Sequence, residues 1–143
     1  MRNPWKIKDI PFGDKPTMIC SLNVQMRSDN QLSICIVSTI NLYFSKFMCF
    51  YSVAQDLSQL NTQIFQLIQQ SVDKFCLTQK IYPFRVFIFR TGMIPDFYNE
   101  NAFMQAQLIE YYRMVKNTKM NSLTYVRFNK SHPIRTYKQF DEN

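Results

Sequence analysis

The chain has 143 residues, of which 46% are hydrophobic and 15% aromatic, enough apolar material for one modest domain with its own core and too much for a disordered segment. Only two glycines occur and no GxGxxG or Walker-type sequence is present, which nearly excludes the glycine-rich phosphate loops. A formal net charge of +7 suits a polyanionic partner such as nucleic acid, although the Lys and Arg residues are scattered and ordinary solubility explains them as well.

Cys20, Cys35, Cys49 and Cys76 all fall in apolar segments and show no CxxC spacing. They read as buried thiols in a reducing compartment, cytoplasmic or nuclear, rather than as zinc ligands or a disulfide framework. His132 is the single histidine, so a His-rich metal centre and most catalytic triads have no material. The leading MRNPWKIKDIPFGD has no apolar core of the kind a signal peptide needs. Residues 34–54 are long enough to span a bilayer, but Asn41 and Lys46 fall inside the stretch, and a central Lys costs ~2.5–3.5 kcal/mol on insertion scales. Two strands joined by a turn explain it better, and no membrane partner is expected.

In chain order, residues 17–26 alternate, with Met18, Cys20, Leu22, Val24 and Met26 on one face, which predicts a strand. Residues 28–31, SDNQ, are a turn signal. The β-branched run 32–40 predicts a second strand, and FMCFYSV (47–53) a third. Phe44, Phe47, Phe50 and Tyr51 in this region could offer base-stacking platforms, but their spacing reads as core. The period then changes. Leu60, Ile64, Leu67, Ile68, Val72 and Phe75 recur at helical spacing, with Ser58 or Asn61 as the candidate cap. Val86–Phe89 is a continuous apolar run, as in a strand covered on both faces, ended by Gly92 and Pro95. Residues 99–116 predict a second helix carrying Ala102, Ala106, Ile109 and Tyr112, and 123–128 a fifth strand. The order β-β-β-α-β-α-β gives an α/β fold, a mixed sheet with helices on it, in the ribonuclease-H-like arrangement.

Several stretches resemble, in the right order, the PIWI domain of Argonaute and Piwi proteins. Asn3-Pro4-Trp5 and Ile10-Pro11 are similar to the family's opening segment, and PTMICSLNV (16–24) to its first strand, which usually reads Gly-x-Asp-Val. FIFRTG (87–92) resembles the strand ending Tyr-Arg-Asp-Gly, and TYVRFNKSHPIR (124–135) the strand ending Gln-Lys-Arg-His-His-Thr-Arg. Trp5 and Thr17-Met18 lean towards the Piwi branch. The resemblance covers nearly the whole chain but only about the first half of a PIWI domain. It implies a single truncated domain, with residues 1–15 as a leading segment, 16–130 as the ribonuclease-H-like core and 131–143 as a basic tail.

Cleaving members of that family hold two divalent ions with carboxylates. The resemblance puts the first Asp on Asn23, the second on Thr91 and the inserted Glu on Gln59, while the final ligand belongs to a later part of the domain. All three visible positions are neutral, and hard cations want anionic oxygen. Asp56, Asp96 and Glu100 are the acids nearby in sequence. The resemblance therefore implies a protein that does not cleave, with no catalytic residue, metal or cofactor. Lys130, His132 and Arg135 fall on the family's basic strand-end cluster, and Arg90 precedes the lost Asp. These four are the candidate RNA contacts, to a guide or a guide–target duplex, since a phosphate needs only a positioned cation. A solvated basic tail is the plainer account of the last three. The later elements of a PIWI domain that the resemblance does not reach imply exposed apolar surface, and with it a protein partner to cover that surface or an unstable fold. Two functions follow: a non-catalytic RNA-binding or scaffold component of small-RNA silencing, or a structural, protein-interaction subunit that reuses the fold without RNA.

Overall fold

The computed structural model describes residues 15–114 and 122–128. Three antiparallel strands come first, β1 (Thr17–Met26), β2 (Leu32–Thr39) and β3 (Phe47–Ala54). The first turn closes with Asn30 at φ 65°, while the Asp29 carboxylate accepts from the Gln31 N–H at 3.1 Å, the Asn/Asp chemistry that tight turns use. The second is organised by Asn41, whose Oδ1 accepts from the backbone N–H groups of Ser45 and Lys46. Residues 34–54 are thus two strands and a turn, and among the described residues no helix is long and apolar enough to cross a membrane.

A 3-10 turn (Leu57–Gln59) leads into α1 (Leu60–Gln79), followed by β4 (Arg85–Gly92), α2 (Phe97–Met114) and β5 (Ser122–Arg127). The sheet order is β3-β2-β1-β4-β5, with β4 parallel to both β1 and β5. This is the expected mixed α/β sheet, open at both ends in the described residues.

The core lies on one face of the sheet. Met18, Cys20, Leu22 and Val24 of β1, Leu32, Ile34 and Ile36 of β2 and Val86 and Ile88 of β4 point into it. α1 closes over them with Leu60, Ile64, Leu67, Ile68, Val72 and Phe75, the stripe its periodicity predicts. Fully burying such side chains is worth about 1.5–3 kcal/mol each.

Five expectations are corrected. The cap before α1 is neither Ser58 nor Asn61: Asp56 accepts from the Ser58 N–H at 3.0 Å, because the 3-10 turn moves the start upstream. α2 buries Glu100, Met104, Leu108 and Tyr112, one residue every turn, and leaves Ala102, Ala106 and Ile109 exposed. β4 alternates instead of being covered evenly, since both helices join the core on one side; Phe87 and Phe89 on the other face are half-buried. Cys20 alone of the four cysteines is buried, Cys35 and Cys76 are half-buried and Cys49 is exposed. The same alternation puts Phe47 and Tyr51 on the outer face, 60% and 62% exposed, so these two are not core; Phe50 packs against it.

Candidate functional site

The parallel pairing of β1 and β4 sets Asn23 directly beside Thr91. Both side chains occur at odd positions of strands whose even positions enter the core, so both face away from α1 and α2. Asn23 Nδ2 donates to Thr91 Oγ1 at 2.8 Å, and Thr91 Oγ1 reaches the Leu22 carbonyl at 3.4 Å. Two residues that sequence reasoning placed together across sixty-eight positions thus touch.

Gly92 makes the approach feasible. Its φ is 85°, and a Cβ there would lie 2.1 Å from the Val24 carbonyl oxygen and 2.9 Å from Asn23 Nδ2. The chain turns away from the sheet at this point, and the Met93 N–H donates to that same Val24 carbonyl at 2.8 Å.

Gln59 is not brought into the pair. Its Oε1 accepts from the Gln55 N–H at 3.0 Å, closing the loop ahead of α1. The three acids close in sequence to the candidate positions have structural work. Asp56 caps the 3-10 turn, and Asp96 caps α2 by accepting from the Asn99 N–H at 3.1 Å. Glu100 is only 2% exposed and accepts from Arg90 Nε at 2.7 Å and Nη2 at 3.1 Å, together with the Tyr125 hydroxyl. Burial, and then the Glu100 carboxylate, push the Tyr125 phenol far up, so it stays protonated and donating.

Arg90 is the candidate RNA contact that the structure corrects. It is 0% exposed and points into the core side of β4; besides Glu100, it donates to the backbone carbonyls of Thr91 and Met93. A guanidinium with its donors committed this way is not offered to a phosphate. Lys130, His132 and Arg135, with the opening Pro-Trp segment and the basic tail, lie outside the described residues.

No family model matches the sequence, and no curated protein does. The fold does match solved structures. The MID-PIWI domains of Neurospora crassa QDE-2 superpose on 81% of this chain with a TM-score of 0.65 and 13% identity. The fold is that of a PIWI domain. Drosophila Piwi matches over 79% of the chain (TM-score 0.63, 12% identity). Kluyveromyces polysporus Argonaute, solved with a guide RNA, matches over 88% (TM-score 0.62, 12% identity). The chain spans 36% of the first of these structures and 16% of each of the other two.

Asn23 and Thr91 offer a divalent cation no anionic oxygen. Asn23 turns an N–H donor on Thr91, and neither residue carries charge. Restoring charge tests this arrangement. The double change Asn23→Asp and Thr91→Asp puts two carboxylates in hydrogen-bonding range and should cost about 2–4 kcal/mol at neutral pH, from repulsion at an effective dielectric near 20. Crowding raises one folded-state carboxyl pKa above its unfolded value, so the folded state holds its proton more tightly. The loss should therefore shrink as pH falls through that pKa, and millimolar Mn2+ should stabilise the variant but not the parent chain. Urea unfolding at acidic and neutral pH, with and without Mn2+, measures both effects.

Proposed function

We propose that this chain is a non-cleaving PIWI-like protein of small-RNA silencing, holding RNA or serving as a scaffold without cutting. The observation that carries the reading is the Asn23–Thr91 hydrogen bond, where the resemblance places metal-binding carboxylates. The engagement of Asp56 and Asp96 as caps and of Glu100 with Arg90 supports it, because these three acids are held by other partners. The solved Argonaute carrying a guide RNA supports the nucleic-acid part. Lys130, His132 and Arg135 are the residues proposed to meet phosphate.

A second reading, a protein-interaction subunit that never holds RNA, is favoured by one observation: the burial of Arg90 removes one of the four candidate contacts.

Titration of the full chain with short single-stranded and duplex RNA at two salt concentrations separates the two. The RNA reading expects affinity that falls with salt, similar across sequences, and a salt slope reduced by roughly two in the Lys130→Ala/Arg135→Ala variant. No binding even at low salt would support the interaction subunit.

A further inference from the structure

Cys35 and Cys49 lie on neighbouring strands with their Sγ atoms 3.4 Å apart, on the sheet face turned away from the helices. Cys49 is exposed and Cys35 half-buried. Cys35 is the cross-strand partner of Asn23 on that same outer face, and Cys49 lies one strand further from the Asn23–Thr91 contact. The geometry points to a reversible dithiol–disulfide pair: a modification site at which a peroxide converts Cys35 and Cys49 to an intrachain disulfide that staples β3 to β2, and which thiols reopen.

The ladder explains why the bond would be reversible. Cys35 stands opposite Tyr51, and Cys49 opposite Val37, so the two cysteines are diagonal neighbours. Diagonal residues have Cα atoms about 7–8 Å apart, whereas an unstrained disulfide spans about 4.4–6.8 Å. Closing the bond must draw the strands together locally. β3 is the end strand of the sheet, with β2 its one neighbour among the described strands, so it can yield. A strained, exposed disulfide is the readily reduced kind, suited to regulation rather than to permanent bracing.

The chemistry balances with a peroxide as oxidant. The exposed Cys49 thiolate attacks a peroxide oxygen, the O–O bond breaks, and the expelled hydroxide (or alkoxide) takes up the proton the thiol released, leaving a sulfenic acid and one water (or alcohol). Cys35 sulfur then attacks that sulfur, the S–O bond breaks, and a second water leaves with the Cys35 proton. Burial and the adjoining Cys49 raise the Cys35 thiol pKa, so closure should speed up as pH rises.

The test treats the reduced full chain with hydrogen peroxide under native conditions, then blocks and counts thiols and maps the peptides. The expected result is a fall from four free thiols to two, a mass loss of about 2 Da, a Cys35–Cys49 cross-link and recovery with glutathione. Cys35→Ser should abolish the cross-link and leave Cys49 oxidised alone. Cys49 sulfinic acid in the parent chain, Cys49-linked dimers or a bridge to Cys20 or Cys76 would each overturn the proposal.

Discussion

Glu100→Ala is expected to destabilise the fold by about 3–5 kcal/mol, because it strands a fully buried guanidinium without its counter-charge. Arg90 Nε and Nη2 lose their carboxylate, and Tyr125 loses the acceptor of its hydroxyl. The damage should not stay local. Arg90 also ties down the carbonyls of Thr91 and Met93, at the end of β4, so strand-end amides near Gly92 should exchange faster than those in mid-strand. Tyr125→Phe, which removes one hydrogen bond to a charged group, should cost less, about 1.5–3 kcal/mol. Replacing Arg90 and Glu100 together by Met and Leu should cost much less than Glu100→Ala alone, since a buried pair exchanged for apolar side chains is often nearly neutral. Urea unfolding of the three variants gives this ordering directly. Equal losses in Glu100→Ala and the double variant would show that packing, not the charge pair, holds α2 to the sheet.

Gly92→Ala carries the other large effect. The left-handed backbone at φ 85° costs a non-glycine residue about 1–3 kcal/mol. The added Cβ would also meet the Val24 carbonyl at 2.1 Å, a backbone atom that cannot swing aside. β1 and β4 must separate there or the turn must re-form, and either breaks the Met93-to-Val24 hydrogen bond. A total loss of about 3 kcal/mol or more is expected. It should be accompanied by changed NMR shifts of the Asn23 side-chain amide, because its nitrogen lies 2.9 Å from the same Cβ.

These two sites also mark where the sequence stops being legible. The alternation of 17–26 and the helical stripe from Leu60 to Phe75 each gather most of their apolar residues on one face, with Ile19 and Phe65 the exceptions, so strand, helix and buried side were readable. The placing of Asn23 and Thr91 at one site came from the order of the motifs that resemble PIWI strands, whereas the parallel register that pairs them came only with the structure. α2 was harder. Phe103, Ala106, Ile109 and Tyr111 spread apolar character around the helix, and its buried stripe includes the charged Glu100. Nothing local marks Glu100 as buried, because its partner sits on a strand ten residues earlier.

Arg90 did carry a usable signal. Val86 and Ile88 face the core, so a period of two sends Arg90 the same way and Thr91 to the opposite face. Proximity in sequence to the strand-end site obscured that phase. In β3, by contrast, Phe47, Cys49 and Tyr51 alternate with Met48 and Phe50, and apolar residues on both phases leave the inner face undecided until α1 is placed. The cysteine contact was hidden for the same reason, since it depends on a diagonal across β2 and β3.

The most direct test of the central claim is incubation of the full chain with end-labelled single-stranded and duplex RNA, with Mg2+ or Mn2+ and with chelator. The RNA should stay intact throughout, because Asn23 donates its side-chain N–H to Thr91 and neither residue offers a dication charge. Metal-dependent cleavage that disappears on Asn23→Ala or Thr91→Ala would contradict it.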